Sequence, residues 1–435
     1  MQKQSVRIII YLLHKFLLHE TNILTDKLRK NQYIYHYYTE IIRFWSKLNY
    51  IVNKTLRSSK ITNIKDKNIT KYIYSAYRIL WEQALPSEII KEIDIKNKEV
   101  LDKFKTFSWE ISLRNKSEHE KISIIEAIPS FMVEKLSEVM DSDFLRENFE
   151  AMNNYKQKDT FSVYLSKNFE KLIESKLTNN LINNIKITPE IFSKDIEIPN
   201  LYHIQNKYKR SFLESRLLSG EDVIILDKSS VAVVNALFPQ SDELILDMCA
   251  APGIKTRLIA QYTKNQARII AGEFLSSRIN QMRKVMKKLN IHEYYLINTD
   301  STIFPVRSVN KFDRILLDAP CTGSGTFLIH PELKWRQNEK FLHQNTIIQR
   351  KLLDKAIKLL KENGILIYST CSLYPEEGEL QVLNFLDKLT PLELPEWFSP
   401  SYKINDSIIP GTGRSFPATH HTQGFFIGKF KKKGR

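Results

Sequence analysis

Glycine divides this chain. All twelve glycines lie at or after Gly220, and no proline precedes Pro86. These two residues are the commonest interruptions of regular backbone. A first half without them, but with apolar residues at helical spacing, is confined largely to helices. Between Thr70 and Leu85, residues Ile73, Tyr77, Ile79, Leu80 and Ala84 share one broad face. Near the start, Ile9, Ile10, Leu13, Phe16 and Leu17 do the same. Residues 1–123 are therefore expected to form a small all-α domain.

From about Ile124 to Arg216 the pattern is mixed: a helix over Phe131–Met140, a strand over Ser162–Leu165, a helix over Phe169–Leu177 and, just beyond, a strand over Asp222–Leu226. This reads as a small α/β module. After Asp227 strands and helices alternate. Strands are expected at Leu244–Asp247, Arg268–Ala271, Tyr294–Ile297, Phe312–Leu317 and Ile365–Ser369. Helices are expected at Lys255–Tyr262, Ser276–Leu289, Thr346–Lys361 and Glu377–Leu389. Such alternation implies a parallel sheet covered on both faces. Ligands of such sheets bind beyond the carboxyl ends of the strands.

Five sites fall at those ends. The turn Leu246-Asp247-Met248-Cys249-Ala250-Ala251-Pro252-Gly253-Ile254-Lys255-Thr256 lets backbone approach a ligand closely and exposes helix N–H groups, although an ordinary strand-to-helix turn looks the same. Glu273 follows the second strand, where a carboxylate can accept both hydrogen bonds of a ribose diol. Asp300 follows the third, where it can face an adenine amino group. Alone, each acid is as readily an ordinary surface residue; together with the turn they point to an adenosine-containing cofactor. The remaining two sites are Asp318-Ala319-Pro320-Cys321-Thr322-Gly323-Ser324-Gly325 and Tyr368-Ser369-Thr370-Cys371-Ser372, the latter followed by Pro375-Glu376-Glu377. A lone cysteine there is usually a small buried hydrophobe. Here two of the chain's three cysteines stand just past apolar strands, and the third, Cys249, is in the cofactor turn.

Charge adds a partner class. Lys and Arg number 65 against 49 Asp and Glu, a formal net charge of +16. That balance suits a polyanion such as nucleic acid, or a chain in which lysine is simply the default surface residue. The most apolar early stretch, Ile8–Leu18, is broken by His14 and Lys15 and is short of the ~20 residues of a membrane span. No small-residue cleavage site follows it. Three cysteines do not make a disulfide framework, so a reducing, cytoplasmic setting is expected. No metal site is expected.

The motifs resemble the RsmB and NSUN family of RNA cytosine-carbon-5 methyltransferases. Asp318-Ala319-Pro320-Cys321 and Ser369-Thr370-Cys371-Ser372, behind Cys249-Ala250-Ala251-Pro252-Gly253, carry the likeness. His330-Pro331-Glu332-Leu333-Lys334-Trp335 is similar to the family's segment between the two cysteine motifs, and Arg414 to Phe426 to its last motif. Ile128 to Leu136 resembles the start of its RNA-binding module. Four positions depart from the family pattern: Ile254 for a second glycine, Glu273 for Asp, Gly378 for Asn and Gln423 for Asp.

The resemblance implies an α/β Rossmann-like, S-adenosylmethionine-dependent methyltransferase domain over residues 217–435. Ahead of it would lie an α/β RNA-binding module at 124–216 and a NusB-like helical RNA-binding domain at 1–123. It implies a cofactor site made by Cys249, Ala250, Ala251, Pro252, Gly253, Ile254, Lys255, Glu273, Arg278, Asp300 and Asp318. It assigns Cys371 as the nucleophile that adds to cytosine carbon 6, and Cys321 as the base that removes the carbon 5 proton before release. Asp318, protonated or sharing a proton, would contact the N3 and N4 edge of the cytosine. Lys255 would contact the base or the cofactor carboxylate. A thiol is only a few per cent ionised at about pH 7, so the site must activate it. The target base must be unstacked to be reached. A monomer acting on RNA is expected, ribosomal RNA first and transfer RNA second, with no membrane partner. A DNA methyltransferase would need only the Pro-Cys thiol, and a non-catalytic assembly factor would not need Asp318, Cys321 and Cys371 intact.

Overall fold

The computed structural model describes residues 3–19, 24–59, 66–95, 97–154, 160–166, 169–171, 191–214, 223–288, 294–306 and 311–434. The chain forms two compact units. The first comprises Met1–Asn153 and Thr326–Glu339, the second Asn154–Gly325 and Lys340–Arg435.

The first unit is helical, as its apolar residues at helical spacing predict, whereas glycine-free residues after Asn154 also form strands. Its opening helix, Lys3–His19, buries Val6, Ile9, Ile10, Leu12, Leu13 and Phe16. The helix Asp66–Glu82 buries Ile73, Tyr74, Tyr77 and Ile79, while Leu80 is partly exposed and Ala84 is buried just past its end. Helices continue through Ser130–Ser137 and Ser142–Asn153. The helical unit thus extends thirty residues past the boundary expected at Ser123. Of the mixed pattern read from Ile124, the helix expected over Phe131–Met140 spans Ser130–Ser137 and belongs to this helical unit. The segment Thr326–Glu339 belongs to this unit too. Within it Trp335 packs edge-on against Phe16 at 4.8 Å and Trp45 at 5.2 Å. Buried Lys334 donates to the Arg43 carbonyl (3.0 Å) and to Asn153 Oδ1 (2.6 Å). The Arg43 guanidinium in turn donates to the carbonyls of Met152, Phe327 and Leu328.

The second unit contains two main sheets. The smaller has strands β1 (Thr160–Leu165), β2 (Phe192–Lys194), β3 (Leu201–Gln205) and β4 (Val223–Ile225), all antiparallel, in the order β2-β3-β1-β4. Of the helix expected over Phe169–Leu177, residues 169–171 are helical and 172–177 lie outside the described residues, as does the boundary expected at 216–217.

The larger sheet carries β5 (Leu244–Asp247), β6 (Arg268–Glu273), β7 (Tyr294–Asn298), β8 (Phe312–Asp318) and β9 (Leu360–Thr370). These are parallel, in the order β7-β6-β5-β8-β9. Ile245, Leu246, Ile315, Leu316, Leu317, Leu366, Ile367 and Tyr368 are completely buried. Such continuous apolar runs are what a sheet covered on both faces requires. The expected all-parallel sheet is, however, mixed. Past β9 come β10 (Leu389–Pro391), β11 (Ser399–Pro400), a β12–β13 hairpin (Lys403–Ile404 and Ser407–Ile408), β14 (Thr412–Ser415) and β15 (Phe425–Lys432). β15 runs antiparallel to β9, β14 to β15, and β11 to β14. The helix expected over Glu377–Leu389 spans only Glu379–Leu383, after a 3₁₀ turn at Pro375–Glu377. By contrast the helix Glu339–Leu359 starts seven residues before its expected Thr346.

Candidate active site

The carboxyl ends of β5, β6, β8 and β9 gather the expected residues. After β5 the backbone turns through a cis Ala251–Pro252 bond to Gly253, whose φ of 97° lies in the left-handed region. A Cβ on Gly253 would also come within 2.9 Å of the Met282 side chain, so glycine is required there on two counts. Ile254 then opens the helix Ile254–Tyr262 and is 37% exposed. The second glycine of the family pattern is therefore not needed for the turn to form. Buried Asp247 accepts from Thr256 Oγ1 at 2.7 Å, and burial pushes its carboxyl up to about 7.

Glu273 ends β6. Its Oε1 accepts the Leu275 N–H at 2.8 Å, and its Oε2 lies 3.4 Å from Arg278 Nη1. Arg278 also donates to the Ala251 carbonyl, tying this strand end to the β5 turn. Asp300 is exposed and caps the 3₁₀ turn Ser301–Ile303 by accepting from the Thr302 N–H. These residues offer what a nucleoside with a charged tail needs: helix N–H groups at a turn without side-chain bulk, and carboxylates at two neighbouring strand ends. The donor set fits S-adenosylmethionine.

The reactive groups stand on β8 and β9. Their parallel register pairs Asp318 with Ser369, so the loops leaving both strands start side by side. Ser369 Oγ donates to Asp318 Oδ1 at 2.9 Å, and Lys255 Nζ donates to Asp318 Oδ2 at 2.5 Å. Burial alone would lower the Lys255 pKa, but the charge and hydrogen bond of Asp318 outweigh it and the net shift is upward. Asp318 is thus engaged on both oxygens, by Ser369 on one and by Lys255 on the other. Cys321 and Cys371, fifty residues apart in sequence, bring their Sγ atoms to 3.2 Å. Contact with Cys371, and then burial, push the Cys321 thiol up. Both thiols are partly exposed. Cys249 packs against the core around Leu246, Met248 and Phe304, and burial raises its thiol pKa.

Three supports use residues of the marked motifs through contacts that the sequence does not show. The completely buried Glu377 carboxylate accepts from the Thr322 N–H (3.0 Å), Thr322 Oγ1 (2.5 Å) and Gln349 Nε2 (2.9 Å), fixing the backbone next to Cys321. Burial raises its pKa despite those bonds. The completely buried pair Arg414–Glu379 (2.6 Å) holds the loop after Cys371, because Arg414 also donates to the Ser372 carbonyl at 2.9 Å. Finally, the Gly325 N–H donates to the Cys371 carbonyl at 3.1 Å and the Gly424 N–H to the Gly325 carbonyl at 2.9 Å. A Cβ on Gly325 would sit 2.0 Å from the Gly424 oxygen.

Residues 234–431 match the family described as 16S rRNA methyltransferase RsmB/F. A probable ribosomal RNA small subunit methyltransferase B of Synechocystis is 37% identical over 214 residues, 48% of this chain and 47% of that protein. A tRNA (cytosine(72)-C(5))-methyltransferase of Pyrococcus horikoshii is 37% identical over 205 residues, 47% of this chain and 50% of that protein. The chain thus spans about half the length of these relatives. The crystal structure of PH0851 is 22% identical and covers 99% of both chains with a TM-score of 0.73, a likeness of fold.

Proposed function

We propose, from the match of residues 234–431 to the RsmB/F methyltransferase family, that this protein methylates carbon 5 of a cytosine in RNA using S-adenosylmethionine. The observation that carries the reading is the 3.2 Å approach of Cys321 and Cys371 beside the Lys255–Asp318 pair. When bound, S-adenosylmethionine supplies the methyl group as an electrophile. The turn 249–255, with Glu273, Arg278 and Asp300, would hold it.

Cytosine carbon 5 is a weak nucleophile until a thiolate adds to carbon 6. Cys371 would make that addition as its thiolate, its proton released to solvent, with Cys321 3.2 Å away. Asp318 and Lys255 together present an acceptor and a donor to the base edge and stabilise charge as it develops there. After methylation the carbon 5 proton must leave before the Cys371–carbon 6 bond can break. Cys321 would take that proton as a thiolate, its own proton having passed to solvent. Its raised pKa makes it the stronger base once ionised. No such chemistry is available to a packing cysteine like Cys249.

Ribosomal RNA is the proposed substrate class and transfer RNA the second, with the protein acting as a cytoplasmic monomer. Among the described residues, no helix is long and apolar enough to cross a membrane. The test is bisulfite sequencing of total RNA from cells with and without the gene, paired with the purified protein acting on the RNA that differs. A protected cytosine that appears only with the active protein supports the reading. Tight cofactor-independent RNA binding with no protected cytosine would favour a non-catalytic RNA-binding factor.

A further inference from the structure

The helical unit contains a cavity of about 690 Å³ between its first helix and the turn that follows Pro86–Glu92. Lys3, Arg7, Tyr11 and His14 line one wall. Their spacing of four, four and three residues puts them on one helix face, opposite the core face of Val6, Ile9, Leu13 and Phe16. Across the cavity stand Lys71, Lys91 and Lys98. Five cations therefore face two carboxylates, Glu92 and Asp94. Glu92 is already engaged: it pairs with Arg78 at 2.8 Å and accepts from Tyr74 at 2.9 Å. Lys71 Nζ donates to the Asp94 carbonyl at 2.6 Å, which holds its ammonium at the rim.

Three further features mark this wall as built for a ligand. The first turn of the Lys3–His19 helix has no acid, so Lys3 and Arg7 add positive charge where the helix dipole is already positive. That arrangement works against the isolated helix and favours an anion. Tyr11 is 57% exposed, an open aromatic face among the cations, with Lys15 Nζ 5.9 Å from its ring centre. His14 Nδ1 is buried and has no hydrogen-bond partner among the described residues.

Cations spaced along a groove with an exposed aromatic ring are the pattern that holds single-stranded nucleic acid, phosphates on the charges and a base on the ring. We propose that this cavity seats the backbone of single-stranded RNA, with one base stacked on Tyr11. The inference rests on RNA being the substrate and names where the helical unit grips it.

The experiment is fluorescence anisotropy of a labelled single-stranded oligoribonucleotide with the full-length protein over a series of salt concentrations. The double variant Arg7→Glu/Lys91→Glu should bind about tenfold or more weakly. The slope of log affinity against log salt should become shallower by about 0.7 for each phosphate that the variant no longer neutralises. Tyr11→Ala should weaken binding by roughly tenfold and leave that slope unchanged, because stacking is not a counterion effect. Arg7→Lys keeps the charge and should bind as wild type; a loss as large as that of the reversal would mean disrupted folding and overturn the assignment. Wild-type affinity and slope in the double variant would also overturn it, even if the wild-type protein methylates RNA. If instead the double variant loses RNA and the wild type methylates none, the cavity assignment stands and the catalytic reading fails.

Discussion

Each unit holds a largely buried lysine, and the two live in opposite surroundings. Lys255 has a carboxylate within 2.5 Å, and its pKa is raised although burial opposes this. Lys334 donates to a backbone carbonyl and an amide oxygen, and burial together with the charge of Arg43 drives its pKa well below that of an ordinary lysine. The difference shows what decides a buried lysine's role: not depth but the charge of its neighbours. At the strand ends the ammonium is kept positive by the carboxylate beside it. Among the helices it serves as a hydrogen-bond donor joining the segment after Thr326 to the helix that bears Arg43.

The comparison assigns chemistry to one unit, and its hardest test is the thiol pair. Cys371→Ala should abolish methylation and form no covalent protein–RNA species. Cys321→Ala should deliver the methyl group, fail to eliminate, and remain attached to its RNA as a ribonuclease-sensitive band on a denaturing gel. Adducts in Cys371→Ala but not in Cys321→Ala would exchange the two roles. Next in size, Lys255→Met should slow single-turnover methylation by about 10²–10³-fold, the scale for removing one electrostatic partner from a closed site. Near-normal turnover would put Lys255 in the same structural class as Lys334.

Stability measurements sharpen the contrast further. Glu379→Gln leaves Arg414 charged and buried without its partner, so urea unfolding should show a loss of about 3–5 kcal/mol. A loss under about 1 kcal/mol, the scale of an exposed ion pair, would mean that the loop after Cys371 does not depend on this pair. The smallest effect is expected from Lys334→Met, which gives up two hydrogen bonds worth about 1 kcal/mol each but also removes a poorly solvated cation. Its signature is in pH. The folded pKa of Lys334 is depressed, so between that value and about 10.4 the unfolded chain binds a proton that the folded chain does not. Wild-type stability should therefore gain from this group as pH rises through that window, and the gain should vanish in Lys334→Met. An identical slope in both proteins would show that Lys334 stays protonated in the fold.

The sequence made the strand ends readable because each is an apolar run stopping at a small or charged residue. Asp318, Cys321, Cys371 and the Gly253 turn stand at the carboxyl ends of their strands as expected. The Asp318–Lys255 ion pair was not foreseen, since Lys255 lies in the first turn of the helix after β5, 63 residues earlier, and no local pattern records their approach. Glu377 and the Arg414–Glu379 pair were equally hidden. A buried carboxylate looks like a surface one until its donors are placed around it. The antiparallel end of the large sheet was missed because β10 to β14 are short and leave little periodicity to read. The helical unit was legible in its first half. Its extent was not, because the fourteen residues that return to it begin just after Gly325 and look like part of the cysteine loop.

That return makes the chain cross between its units three times. It passes from one unit to the other at residues 153–154, again at 325–326 and a third time at 339–340. A single cut near residue 217 does not yield a free-standing catalytic half: it strands Trp335 without Phe16 and Trp45, and Lys334 without Arg43 and Asn153. A gene fusion or deletion at one point could not have exchanged the helical unit for another. Removing residues 1–153 alone would leave the fourteen residues 326–339 without the rest of their unit, in the stretch of chain that joins the two cysteines.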